Sequence, residues 1–533
     1  MTDRREEEWA RRPVVLLAAV VPLLLVGSAV RAWHLFAEPL WLDEAYSAYA
    51  AGKSFGFLWR VVPLYETHPP FYYTLLRLWE LAFGDSLPAL RLLGLAAGMS
   101  TLPALGWAAA GAADLLGWPN RRRGRLKLAV FALACVQIAL VEMAREVRPY
   151  PLMILVYALA VGTLVRLAQR RARGAPLAGR LFACHLLFVA LMLWLHNLGP
   201  IWGLTLTLAL LAAIHGGRLD RRDWAWLIGG HLLVALAYLP ALLILLDQAP
   251  TWIQSTWLRF SFRTLWTHLC ILYAAPGWPG LAAGLLAAAA LAFLWRSGEA
   301  GRRLAAILLL LALMPVLLSI LVTLTVSPVF ITRTMTPVAG PTLILIGIGA
   351  TAYAGRTAWC GTGAAVVMFA NLLAVDLQAR AHGPMQDWYG TIAWLQKRFR
   401  PGDEILAYPN EGALPMERAL RDKKLDWPVR AIPAPVPAFG QGGWHPTGNR
   451  GAVSLSRGRL AAIAAEPATR AVRTIWLLRL GADGYDVGDV AAQEFGRGRR
   501  RVRRWRDGAI DVIGLANPPI PIARTRDQAR LRR

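Results

Sequence analysis

The sequence predicts a polytopic α-helical membrane protein that ends in a small soluble α/β domain, and three observations carry that prediction. Of its 533 residues, 56% are hydrophobic, with a mean hydropathy of +0.41; soluble domains are roughly 45–50% apolar. Apolar runs over 13–36, 304–326 and 337–354 can each cross a hydrocarbon core, which takes about 20 helical residues. After Asp376 no such run recurs, and short apolar stretches alternate with helical patterns, as in a small domain in water.

The formal net charge of +25 stands largely in Arg clusters between apolar runs: Arg121-Arg122-Arg123, Arg170-Arg171, Arg221-Arg222 and Arg302-Arg303. Such clusters mark the cytoplasmic side. Nucleic acid is not expected as a partner, since no reading module accompanies the charge. The four cysteines lie in or beside apolar runs without ligand-like spacing, so neither a disulfide framework nor a zinc site is indicated. The peptide MTDRREEEWARR precedes an apolar segment too long for a signal-peptide core, which reads as a retained first span.

With the Arg clusters inside, the first span exits over 13–36 and the chain returns over 87–116. Outward and inward runs then alternate over 128–143 and 150–167, 181–195 and 201–214, 224–246 and 280–295, 304–326 and 337–354, before 359–375 exits. That is about eleven spans, N-terminus inside and C-terminus outside. The segment 69–83 is too short to cross and reads as a helix along the interface. The membrane domain is expected over 1–376 and the outer domain over 377–533. In the latter, 404–408, 474–480 and 510–515 read as strands, 388–399 and 417–421 as helices. The basic run 497–506 falls on the outer side, which long tail domains tolerate.

This topology collects the unusual polar residues on one side. Asp43, Glu44, Glu66 and His68 follow the first span, in an aromatic-rich stretch suited to the membrane–water boundary. Arg145, Glu146 and Arg148 occupy the second outer turn, His196-Asn197 the third, and Arg333 the fifth. Each has a bland reading as well. Asp43 can cap the helix that follows, and Glu66 and His68 can belong to a solvated turn before Pro69-Pro70. Arg145 and Arg148 can snorkel to headgroups, His196 can be an interfacial histidine, and Arg333 a helix anchor. The signal is their convergence. Arginines at outer ends run against the positive-inside tendency, so an anion on that side holds them. Sugar transfer from a phosphate-linked lipid has a good leaving group. It needs one carboxylate to take the acceptor proton and cations on the departing phosphate. One base without a second acid implies inversion, by analogy with inverting hydrolysis.

The segments WLDEAYSAYAAG, ETHPPFYYTLLRLW, RLLGLAAG, AREVRPYPL and ITRTMTP resemble the bacterial branch of the GT-C membrane glycosyltransferases. That branch is similar to the protein O-mannosyltransferases, the lipid A aminoarabinose transferases and the lipopolysaccharide galacturonic acid transferases. The resemblance covers roughly 13–376. It implies a GT-C fold, a polyprenyl-phosphate sugar donor, and a lipid, glycan or protein acceptor. It also implies action at the outer face of the bacterial cytoplasmic membrane. It places Asp43 at the catalytic acidic position with Glu44 beside it, Glu66 and His68 in the cavity lining, and Arg145, Arg148 and Arg333 at the lipid phosphate. No cofactor is required, but some relatives use a divalent metal, for which Glu66, His68 and His196 are the candidate ligands. A Lys often stands at the position of His68 in the aminoarabinose branch, and a Tyr at that of Thr334. The sugar therefore need not be aminoarabinose. Two other classes remain open on the residues alone: a glycan polymerase or ligase using lipid-diphosphate carriers, and a lipid-linked sugar transporter or flippase.

Overall fold

The computed structural model describes residues 13–216, 219–255, 258, 260–273, 277–354, 356–381, 383–439 and 455–518. The basic peptide before Pro13 lies outside them. The chain forms two compact units. Among the described residues, one comprises those of 13–38 and 46–383, and the other those of 39–45 and 384–518.

The first unit is helical. Its long elements are α1 (Pro13–Ala32), α5 (Leu87–Leu115), α6 (Asn120–Val136), α8 (Tyr150–Ala172), α9 (Arg180–Leu195), α10 (Gly199–Ile214), α11 (Arg221–Ser255), α13 (Trp278–Arg296), α14 (Gly298–Thr325), α16 (Ala339–Thr351) and α17 (Arg356–Arg380). Among the described residues, seven helices are long and apolar enough to cross a membrane, and the chain is a multi-pass membrane protein. Leu232, Leu233, Leu236, Leu239 and Leu243 of α11 and Leu313, Leu317 and Leu321 of α14 are exposed. Leucine in such continuous exposed rows belongs against lipid, not water. Between the first two long helices stand α2 (Leu42–Ala51), α3 (Phe55–Arg60) and α4 (Phe71–Phe83). At 13 residues, α4 falls short of a crossing.

One expected span is interrupted. The run 128–143 forms α6 and a separate α7 (Ile138–Met143), broken at Gln137, whose backbone is extended. The Gln137 side chain accepts from the Leu140 N–H at 2.8 Å and donates to the Ile271 carbonyl at 3.0 Å. It thus caps the new helix and satisfies its own side-chain amide where water is scarce.

The turn after α7 rests on a bed of glycine. A Cβ at Gly98 would lie 2.3 Å from the Ala144 Cβ, and one at Gly94 would lie 2.7 Å from the Glu146 carbonyl oxygen. Only glycine lets α5 approach that closely, which gives the segment RLLGLAAG a physical role. Buried arginines complete the support. Arg91 donates to the Arg145 carbonyl. Arg31 donates to the carbonyls of Cys135 at 2.7 Å and Ala134 at 2.9 Å. Gly98→Leu should displace the turn and cost about 1–3 kcal/mol by overpacking, read as a lower thermal midpoint. An unchanged midpoint would show that the bed yields.

The second unit is a five-stranded sheet in the order β2-β1-β3-β5-β4. Its strands are β1 (Glu404–Tyr408), β2 (Val429–Ala431), β3 (Thr474–Leu480), β4 (Arg500–Asp507) and β5 (Ile510–Ala516). Strands β2, β1 and β3 run parallel, and β5 is antiparallel to β3 and to β4. Every residue of β3 is buried, so both faces of the sheet are covered. On one face Ile405, Ala407, Trp476, Leu478 and Val512 pack with α18 (Trp388–Gln396) and α19 (Ala413–Asp422). On the other, Leu406, Tyr408, Ile475, Leu477 and Ile513 pack with α20 (Arg457–Ala465) and α23 (Val490–Gly496). Arg479 on β3 is buried and pairs with Asp486 at 2.7 Å and with Asp489 and Asp511. Asp511 stands opposite it on β5 and also meets Arg504 at 2.6 Å.

Candidate active site

Helix α2 carries the acidic pair and starts one residue before Asp43, at Leu42. The Trp41 carbonyl accepts the first intrahelical bond, from the Ala45 N–H at 2.9 Å, which makes Trp41 the N-cap. Asp43 is therefore the second residue of the helix and does not occupy the capping position. Glu44, fully buried, reaches back to the Trp41 N–H at 3.2 Å, half of a capping box. Asp43 is partly exposed. Both belong to the second unit, along with the rest of 39–45.

Within the first unit, Glu66, His68 and His196 form a hydrogen-bonded chain. The Leu198 N–H donates to His196 Nδ1 at 3.1 Å, so in the neutral ring the proton is on Nε2. His196 Nε2 lies 3.3 Å from His68 Nε2, which must then accept. His68 Nδ1 consequently holds a proton and donates it to Glu66 Oε1 at 2.8 Å. The same oxygen accepts the His68 N–H at 3.1 Å. A backbone amide thus sets the direction of every bond in the chain. Asn197 ties the two loops together by donating to Thr67 Oγ1 at 3.0 Å. Around Glu66 stand buried tyrosines. Tyr46 donates to the Tyr65 hydroxyl at 3.0 Å, and Tyr46 and Tyr73 meet edge to face at 5.6 Å. Burial, with the Glu66 charge nearby, pushes the Tyr73 phenol well above its usual range.

The arginines separate by role. Arg145 is buried, donates to the carbonyls of Arg31 at 2.9 Å and Trp33 at 2.7 Å, and pairs with Glu38 at 2.9 Å. It laces the end of α1 to its own turn. Arg148, also buried, donates to Ser47 Oγ at 3.3 Å and lies 5.9 Å from the Tyr150 ring centroid. Arg333 stands in the short helix α15 (Thr332–Met335), partly exposed. Both Arg148 and Arg333 act on His196. Burial first, then His68, Arg148 and Arg333 hold that imidazole well below its usual value of 6.5.

The sign of that shift gives a pH prediction. The unfolded chain binds the His196 proton near 6.5 and the native state does not. Native stability from this group is therefore complete above 6.5 and is lost as pH falls below it. The thermal midpoint should drop between about pH 7.5 and 5.5, and His196→Gln, which keeps a donor toward His68, should blunt that drop. An equal drop in both proteins would assign it elsewhere.

Glu66, His68 and His196 come together as a proton chain. Among the described residues no group of three or more His, Cys, Asp and Glu side chains is placed to hold a metal ion. Sequence reasoning missed the tyrosines, Thr67 and Ser47, which carry no chemical signature in one dimension. It also missed Arg31 and Arg91, whose carbonyl partners lie far along the chain.

A polytopic helical unit with short helices between its first two long ones, followed by a small α/β unit, is the GT-C glycosyltransferase fold. Among solved structures, the chain superposes on ArnT from Cupriavidus metallidurans in the apo state with a TM-score of 0.57 and 12% identity, over 94% of this chain and 97% of that one. The same protein bound to undecaprenyl phosphate gives a TM-score of 0.55 and 13% identity, over 93% and 98%. The apo oligosaccharyltransferase of Archaeoglobus fulgidus gives 0.49 at 12% identity, over 96% and 75%. No family model matches the chain, and no curated protein sequence does.

Proposed function

We propose that this protein is an inverting glycosyltransferase that moves one sugar from a polyprenyl-phosphate carrier to a lipid, glycan or protein acceptor. It would act at the outer, periplasmic face of a bacterial cytoplasmic membrane. The observation that carries the reading is the meeting, within a GT-C fold, of buried Arg148 and nearby Arg333 with the Glu66–His68–His196 chain. Two guanidinium groups close enough to hold a buried imidazole in its neutral form make a seat for an anion. In the reaction the acceptor hydroxyl oxygen attacks the anomeric carbon while the carbon–oxygen bond to phosphate breaks. The bonding pair leaves on the phosphate oxygen, which Arg148 and Arg333 stabilise, and the hydroxyl proton passes to the Asp43 carboxylate. Arg145, engaged by protein carbonyls and Glu38, holds the frame for Arg148. Glu44 secures the helix that bears Asp43, and the Glu66 chain keeps the cavity wall polar and fixed.

The test uses purified protein in lipid nanodiscs with a panel of undecaprenyl-phosphate sugars, a cell-envelope extract as acceptor, and mass spectrometry of released undecaprenyl phosphate. Release should require the extract. Arg148→Ala should weaken donor binding by about tenfold or more, the worth of a charge-assisted contact to phosphate. No release from any monophosphate donor by folded protein would overturn the proposal.

A further inference from the structure

The role of the C-terminal domain follows from how α2 begins. The first turn of a helix leaves backbone N–H groups without partners, and Ser, Thr, Asp or Asn usually stands at the N-cap to accept from them. Here that residue is Trp41, whose side chain carries no oxygen. Glu44 meets the Trp41 N–H. The Leu42 N–H is met from 344 residues away: Gln386 Oε1 accepts it at 3.1 Å. Gln386 is itself held. The same oxygen accepts the Trp388 indole N–H at 3.1 Å, and the Gln386 carbonyl accepts the Trp388 backbone N–H at 3.0 Å. Trp388 is fully buried in the core of the sheet, against which the Leu42 side chain also packs.

We infer that Gln386 is a positioning residue for Asp43. It supplies from the C-terminal domain the cap that the first turn of α2 lacks, and so fixes the backbone from which the Asp43 carboxylate projects. The segment 39–45 is built into that domain, so Gln386 and Asp43 belong to one compact unit. This inference rests on the proposed role of Asp43. Without the cap, the first turn frays, and the carboxylate spends most of its time away from the acceptor hydroxyl.

The experiment compares full-length wild type with Gln386→Ala, Gln386→Met and Gln386→Glu in nanodiscs, by hydrogen–deuterium exchange and by turnover. Met keeps the length of the side chain without an acceptor, and Glu keeps an acceptor that the helix N-terminus favours. Exchange in peptides covering 39–51 should rise in the Ala and Met variants and stay as in wild type for Glu, with β1 and β3 unchanged. Turnover at saturating donor should fall about tenfold in Ala and Met, with donor KM nearly constant, and return in Glu. Unchanged exchange at α2, or exchange that rises equally in β1 and β3, overturns the capping role. Raised exchange with undiminished turnover overturns the positioning role. A wild-type protein inactive with every polyprenyl-phosphate donor sinks the transferase reading and the positioning role with it. The exchange result then still decides whether Gln386 caps α2.

Discussion

Asp43→Asn is expected to abolish sugar transfer while leaving the protein folded. The amide has nearly the shape of the carboxylate but cannot take the acceptor proton, and a positioned general base contributes about 10²–10⁴-fold. Asp43 sits inside the first turn, where the caps are supplied by Glu44 and Gln386, so Asn should leave the helix start as it is. Donor binding should therefore survive while undecaprenyl phosphate release stops. Glu44→Gln is the companion measurement: it weakens a buried bond to the Trp41 N–H and should lower stability more than chemistry. Turnover near the wild-type rate in Asp43→Asn, with the loss in Glu44→Gln instead, would move the base to the neighbouring residue.

Arg479→Met should unfold much of the C-terminal domain. Asp486 and Asp511, each with a side chain only 2% exposed, share the Arg479 guanidinium. Removing it leaves Asp486 with the Ala491 N–H and Asp511 with Arg504. Stripping one partner from a buried ionic cluster costs about 3–5 kcal/mol, a large part of the stability of a small domain. Asp489, 63% exposed, should contribute little. Protease resistance of 384–518 under mild denaturant reads the effect, and its persistence in the Met variant would show that the cluster is dispensable. Because the segment bearing Asp43 belongs to the same unit, turnover should fall with it.

The helices were legible in the sequence because lipid demands long apolar runs, and the runs near 87–116, 150–167 and 304–326 return as α5, α8 and α14. The strands 404–408 and 474–480 coincide with β1 and β3, since buried parallel strands read as short continuous apolar runs. Strand β4 was not legible. Eight of the ten residues in 497–506 are Arg or Trp, and only the pairing with β5 makes them a strand; Val502 and Trp505 supply the apolar side. The break at Gln137 was hidden because its partners lie 134 and 135 residues away. Of the candidate site residues, Asp43, Glu66, His68 and Arg148 stood out in the sequence by charge between apolar runs. What they touch did not. The bond from Leu198 that orients the histidines, the glycine bed under the arginine turn and the Gln386 cap are all long-range or backbone events, and no local pattern announces them.

Strand β4 is also the open rim of its sheet, and Arg500, Arg501 and Arg503 stand exposed along it. A rim of unsatisfied backbone invites another strand, and confinement to a membrane surface raises the rate at which copies collide. Two such rims would bring six guanidinium groups together in a narrow ribbon. The arginine fringe therefore opposes the zipping of such rims into open-ended fibres when copies of the domain meet.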